Sequence, residues 1–181
     1  EDRAWDISKI DVPKMTFVIG NTGIRAPTGP LVEKVRKYKD SNTFARGIVD
    51  EIGTVTLEGM DAIKKNDRVK LGSLMTYDHK LLSMLGVSCP QLNKLVEAAL
   101  PYSYGAKLTG SGGGGCMVAL TDKPDKVADA IASGRWTKRD GVYYNPPEDG
   151  INYCVTEEDF QYLYSIKIPC WGTEHGKRSN I

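Results

Sequence analysis

Several residue patterns that identify common functional classes are absent from this 181-residue sequence. No apolar run approaches the ~20 residues that a membrane-spanning helix needs. The first residues lack the charged-then-apolar order of a secretory signal peptide. The sequence begins at Glu1 rather than at Met, so we expect a processed product or an incomplete reading frame. We also expect a cytoplasmic protein without a membrane segment.

Histidine, cysteine and net charge are also scarce. None of the four cysteines are two residues apart, and His79 and His175 are distant in sequence, so the ligand spacing of a zinc site is absent. We predict reduced thiols and no metal site. The formal net charge is +1 without blocks of like charge. We therefore expect neither nucleic acid nor a membrane surface as a partner.

Hydrophobic residues make up 40% of the sequence, which is enough for a domain with a real core. Apolar residues at three- to five-residue steps predict helices after Pro30 and from about Thr43, and further helices over 71–85, 92–99 and 124–133. Short apolar runs predict strands at 15–19, 106–109 and 116–120.

Helix ends carry their own signals. Ser88 followed by Gln91 predicts a capping box. Thr28 or Gly29 is a candidate cap for the helix after Pro30.

Three glycines interrupt the helix that begins near Thr43, at Gly47, Gly53 and Gly59. Each costs about 1 kcal/mol relative to Ala. We therefore expect close contacts with a neighbouring element at these positions.

The most informative segment is the glycine loop Gly110-Ser111-Gly112-Gly113-Gly114-Gly115, between two predicted strands. Glycine adopts positive φ without steric cost, so the backbone N–H groups of such a loop can turn toward one point. The segment predicts a loop that borders a phosphate group. A flexible hairpin connection is the alternative, although four consecutive glycines lose more conformational entropy than a plain turn requires.

Two better-known phosphate motifs do not apply. Gly110, Gly112 and Gly115 match G-x-G-x-x-G, but that dinucleotide fingerprint leads into a helix, whereas a strand pattern follows here at 116–120. No Gly-Lys-Ser/Thr ending is present, which excludes a Walker A loop.

The loop and its flanks resemble the third conserved motif of the galactokinase, homoserine kinase, mevalonate kinase and phosphomevalonate kinase (GHMP) family, through Lys107-Leu108-Thr109, the loop itself and Cys116 to Leu120. The stretch Phe17 to Gly23 with Thr28, and the stretch Leu71 to Ser88 with Leu92, are similar to the mevalonate kinases of archaeal type in particular. The resemblance covers about residues 12–133.

This resemblance implies an α+β fold, in which an antiparallel sheet is backed by helices in a ferredoxin-like arrangement. Residues 1–133 would form the C-terminal domain of an ATP- and Mg²⁺-dependent kinase that phosphorylates mevalonate. The catalytic Asp and the main nucleotide loop would lie in an N-terminal kinase domain, the expected partner, so no catalytic residue is expected in this chain. A homodimer is left open.

The resemblance places Gly110 to Gly115 beside phosphate and substrate. Thr22 and Thr28 are candidate substrate-lining residues, with turn and helix-cap roles as the equal alternative. His79 shares a face with the apolar stripe, which favours a packed structural residue over an acid–base catalyst. Cys116 lacks an activating base in the pattern, so packing explains it best.

Some positions differ from the family pattern. Asp78 stands where Asn often precedes the His, and Asn93 stands where Asp often follows the Leu. Residues 134–181 form an aromatic-rich tail that does not resemble the family, and we predict low order there apart from strand-like pieces such as 162–168.

Two other functions stay open. The first is a GHMP kinase with another acceptor, namely homoserine, a sugar or phosphomevalonate. The second is a non-catalytic α+β binding module.

Overall fold

The computed structural model of the protein describes residues 6–132 and three later segments, 137–139, 142–144 and 162–167. The strands are β1 (Asp6–Asp11), β2 (Phe17–Asn21), β3 (Gly105–Leu108), β4 (Cys116–Leu120), β5 (Thr137–Arg139), β6 (Val142–Tyr144) and β7 (Tyr162–Lys167). The helices are α1 (Thr28–Ser41), α2 (Thr43–Lys64), α3 (Arg68–Met84), α4 (Pro90–Ala99) and α5 (Pro124–Ala132), with a 3-10 turn at Leu100–Tyr102.

The central sheet has three antiparallel strands in the order β2-β4-β3. Strand β4 lies in the middle, where Val118 pairs with Ile19 on one side and with Lys107 on the other. Helices α4 and α5 pack against these strands, and α3 packs along β3. This arrangement confirms the predicted α+β class, an antiparallel sheet backed by helices.

Alternation along β4 divides the core into two clusters. Met117 and Ala119, both 0% exposed, belong to the larger cluster, which also contains Leu92 and Val96 of α4. Leu120, 1% exposed, belongs to a smaller cluster with residues of α2 and α3. Burying each large apolar side chain contributes about 1.5–3 kcal/mol, so these two clusters hold the helices on the sheet.

Two of the helices begin at side-chain caps. The Asn42 side-chain oxygen accepts the N–H groups of Phe44 (2.8 Å) and Ala45 (3.3 Å) at the start of α2. The Asp67 carboxylate accepts the N–H of Lys70 (2.9 Å) at the start of α3. Both caps satisfy donors that the first helical turn leaves unpaired.

The predicted caps of α1 and α4 are wrong. The N-cap of α1 is Pro27, without a side-chain bond, and Thr28 is already the first helical residue. The N-cap of α4 is Cys89, also without a side-chain bond. The Ser88 hydroxyl instead donates to the Asn93 side-chain oxygen, at 2.5 Å.

The expectation of close contacts at the glycines of α2 is also wrong. A Cβ atom added at Gly47 or Gly53 would meet nothing within 4 Å, and one at Gly59 would lie an ordinary 3.8 Å from Leu71 Cδ1. The close approach occurs elsewhere, between α3 and β3. There a Cβ at Gly72 would lie 2.2 Å from the carbonyl carbon of Tyr104.

The described segments beyond residue 132 are strands. Strand β7 pairs antiparallel with β1, from Asp6 opposite Lys167 to Asp11 opposite Tyr162, so this pairing crosses the boundary predicted near residue 134. Strands β5 and β6 pair antiparallel with each other. The remainder of the predicted low-order tail lies outside the described residues. Among the described helices, none is long and apolar enough to cross a membrane.

Candidate functional site

The glycine loop joins β3 to β4, and its backbone conformation demands glycine. Every residue except Ser111 has a positive φ: Gly110 (78°), Gly112 (82°), Gly113 (74°), Gly114 (156°) and Gly115 (73°). Side chains with a Cβ atom rarely adopt these angles. The last hydrogen bond between β3 and β4 lies next to the loop, where the Thr109 N–H donates to the Cys116 carbonyl at 2.9 Å.

Backbone hydrogen bonds tie the loop to two other segments. The Gly113 N–H donates to the Val87 carbonyl (2.7 Å), between α3 and α4. The Gly115 N–H donates to the Ile24 carbonyl (2.9 Å), just after β2. In return, the Gly115 carbonyl accepts from both the N–H (2.9 Å) and the hydroxyl (3.0 Å) of Thr22. The loop is therefore held both by the segment between α3 and α4 and by the segment that follows β2.

Close packing reinforces this anchoring. A Cβ at Gly112 would lie 2.0 Å from the Val87 carbonyl oxygen, and one at Gly113 would lie 2.8 Å from Leu31 Cδ1. A Cβ at Gly114 would lie 2.6 Å from the carbonyl oxygen of residue 24. Such contacts are not expected of a flexible hairpin connection, which would leave its glycines in open space.

These contacts also restrict which amides a ligand can use. The N–H groups of Gly113 and Gly115 donate within the domain. Gly112 and Gly114 are buried, whereas Gly110 is exposed and Ser111 is partly exposed, so the loop offers a ligand the backbone of Gly110 and Ser111.

Both candidate lining threonines lie against the loop. The Thr28 and Ser111 hydroxyl oxygens are 3.2 Å apart and exposed. Thr22 holds the loop through its bonds to Gly115. Thr28 also begins α1, a 14-residue helix with no acidic residue in its first turn. The positive end of the α1 dipole therefore lies beside Ser111, where it favours an anion. The structure thus brings all of the predicted site residues together.

Sequence reasoning missed Val87 and Ile24, whose carbonyl groups hold the loop. Both act through backbone atoms, so their side-chain type carries no signal of this role. The only hint was the stretch before Ser88, which resembled the family without an assigned function.

A buried polar cluster lies behind the loop. His79 is 7% exposed, and its Nδ1 accepts the N–H of Leu108 at 3.2 Å. Burial lowers the pKa of His79, opposed by the interaction with Asn93 and by the charge of Asp78. Asp78, 6% exposed, forms an ion pair with Lys107, while its Oδ1 atom has no hydrogen-bond partner. These are the contacts of a packed residue, the interpretation favoured for His79.

Cys116 is half-buried at the start of β4, and burial raises the pKa of its thiol. A raised pKa disfavours the nucleophilic thiolate. Within the described part of the chain, no group of three or more His, Cys, Asp or Glu side chains is placed to hold a metal ion.

Comparisons with known proteins agree with this geometry. Residues 60–135, which include the loop, match the family described as GHMP kinases C terminal. Mevalonate kinase of Pyrococcus furiosus is 41% identical over 126 residues, which cover 65% of this chain and 38% of that protein. Mevalonate kinase of Thermococcus sibiricus is 38% identical over 130 residues, which cover 67% and 39%.

Solved structures show the same fold. The crystal structure of L. major mevalonate kinase in complex with R-mevalonate aligns with a TM-score of 0.60 at 36% identity, over 66% of this chain and 37% of that chain. The Methanococcus jannaschii mevalonate kinase aligns with a TM-score of 0.55 at 32% identity, over 68% and 37%.

This chain therefore spans well under half the length of the mevalonate kinases that it matches. The matches confirm the resemblance that the loop and its flanking stretches indicate. Residues 60–135, which contain the glycine loop, match the C-terminal domain of the GHMP kinase family, and the chain shares its fold with the mevalonate kinase structures.

Proposed function

We propose that this domain is part of an ATP-dependent mevalonate kinase, in which the terminal phosphoryl group of ATP is transferred to the hydroxyl group of mevalonate. The observation that carries the proposal is the 41% identity with the Pyrococcus furiosus mevalonate kinase, together with a family match that includes the loop. The R-mevalonate complex of the L. major enzyme, 36% identical, supports this choice of acceptor.

The glycine loop has a defined task in this proposal. Phosphoryl transfer depends on positioning the reactants and on stabilising the charge spread over the transferred group. Gly110 is exposed, and no atom lies within 4 Å of a Cβ added there, so a phosphate or the substrate can approach its backbone closely. The Ser111 and Thr28 hydroxyl groups supply hydrogen-bond donors at the positive end of α1.

The remaining chemistry is assigned to other parts of the enzyme. ATP supplies the phosphoryl group when bound. The resemblance puts the catalytic Asp and the main nucleotide loop in an N-terminal kinase domain, which we propose as the partner of this one. We propose that Mg²⁺ binds together with the ATP phosphates, whose charge it neutralises. A cytoplasmic location and a homodimer stay predictions.

The test is reconstitution. This chain is combined with a separately produced N-terminal half of an archaeal mevalonate kinase, and ADP formation is measured with mevalonate. We expect turnover that Thr28→Val lowers by about ten- to a hundredfold, since a hydrogen bond to a charged group is worth about 1.5–3 kcal/mol. Thr56→Val in α2 is the matched control, because its hydroxyl only donates to the Ile52 carbonyl.

Assays with other phosphoryl acceptors distinguish mevalonate kinase from the alternative functions. Turnover with homoserine, galactose or phosphomevalonate in place of mevalonate would assign a different GHMP kinase. A folded mixture without turnover on any of these substrates would favour the non-catalytic binding module.

A further inference from the structure

Helix α3 covers the outer edge of β3, the strand that leads into the glycine loop. Strand β3 pairs only with β4 in the three-stranded sheet, so the N–H groups of Ala106 and Leu108 point outward. The Thr76 hydroxyl accepts the first (3.3 Å), and His79 Nδ1 accepts the second (3.2 Å). Thr76 and His79 are three residues apart and so share one face of α3.

His79 also contacts the opposite anchor of the loop. Its side chain interacts with that of Asn93, which raises the pKa of His79 against the effect of burial. The Asn93 oxygen in turn accepts the Ser88 hydroxyl at 2.5 Å. Ser88 directly follows Val87, whose carbonyl accepts the Gly113 N–H at 2.7 Å. One imidazole therefore connects the strand before the loop with the segment that holds its middle.

We propose that His79, in its neutral form, is a positioning residue for the glycine loop, which it fixes through Leu108 on one side and through Asn93 and Ser88 on the other. The importance of the loop for kinase activity rests on the proposed function. The hydrogen bonds themselves do not depend on it.

The role requires a neutral ring. A neutral imidazole that accepts at Nδ1 carries its proton on Nε2, and protonation of Nδ1 removes the acceptor for the Leu108 N–H. Protonation would also place a charge in a site that is only 7% exposed. The neighbouring charges act in both directions: Asp78 on α3 and Glu97 on α4 favour the protonated form, whereas Lys107 on β3 opposes it.

Burial is the largest effect, and it holds the pKa of His79 below the ordinary value of 6.5. The folded protein then binds fewer protons than the unfolded chain at pH values just below 6.5. Above pH 6.5 His79 is neutral in both states, and the free energy of unfolding has its full value with respect to this residue. The free energy of unfolding falls as the pH decreases from 6.5 toward the folded-state pKa of His79.

The test measures amide protection factors by NMR hydrogen exchange on the ¹⁵N-labelled chain. Asn at position 79 can place an oxygen where Nδ1 was, whereas Gln places its polar group nearer to Nε2. We expect His79→Gln to lower the protection of Leu108 and Gly113 about fivefold, the equivalent of one hydrogen bond. His79→Asn should keep the protection of Leu108, and His175→Asn controls for the second histidine.

A titration of the unmodified chain provides a second measurement that does not require a variant to fold. The ring signals of His79 and the amide signals of Leu108 and Gly113 should change with one common midpoint below pH 6.5. Titration of His79 without a change at these amides would overturn the proposal, as would wild-type protection in His79→Gln. Because no ATP is present, either result leaves the proposed kinase function standing.

Discussion

Glycine has opposite roles in the glycine loop and in helix α2. In the loop, Gly112 has a φ of 82°, and a Cβ there would lie 2.0 Å from the Val87 carbonyl oxygen. In α2, a Cβ at Gly47 or Gly53 would meet nothing within 4 Å. The loop therefore needs glycine for its conformation and its packing. Within this domain, the α2 glycines serve neither need and only lower helix propensity.

The largest effect is expected at Gly112. Gly112→Ala should lower the free energy of unfolding by about 2–4 kcal/mol, because a Cβ would strain the positive φ and collide with a backbone oxygen that cannot rotate away. Urea denaturation followed by circular dichroism measures this change. Unaltered stability would show that the anchoring of the loop to Val87 is not rigid.

A smaller effect is expected at Gly110, where φ is 78° but no atom lies within 4 Å of an added Cβ. Gly110→Ala should cost about 1–2 kcal/mol from backbone strain alone. The same denaturation experiment applies, and the difference from Gly112→Ala isolates the collision with Val87. Equal losses in the two variants would contradict a separate packing contribution.

The smallest effect, with the opposite sign, is expected in α2. Gly53→Ala should raise the free energy of unfolding by about 0.5–1 kcal/mol, because alanine favours the helix and the added methyl group faces open space. Gly72→Ala is the matched control in α3, where the Cβ would lie 2.2 Å from the Tyr104 carbonyl carbon. That variant should be destabilised. A loss of stability in Gly53→Ala would indicate that another surface covers α2.

Local patterns predicted most of the elements. Helix α2 begins at Thr43 and strand β4 spans Cys116–Leu120, as apolar spacing indicates. The predicted cap at Ser88 is wrong because α4 begins at Pro90, one residue later than a capping box at Ser88 requires, so Cys89 occupies the N-cap position. The pairing of β1 with β7 joins residues more than 150 positions apart, which no local pattern indicates.

The composition of the candidate site was predictable, but its anchoring was not. Consecutive glycines indicate positive φ, which five of the six loop residues adopt. The N–H groups of Gly113 and Gly115 donate hydrogen bonds to the carbonyl groups of Val87 and Ile24. Every residue type has such a carbonyl, so only the folded arrangement reveals these contacts.

The side chains that cover β3 also determine which edge of the sheet can pair with a further strand. Exposed strand edges recruit further strands, from the same chain or from a neighbouring molecule, through their unpaired amides. On β3, Thr76 and His79 already occupy the outward amides of Ala106 and Leu108. Any strand that extends this sheet would therefore have to join along β2, so β3 is protected from edge-to-edge aggregation by its own helix.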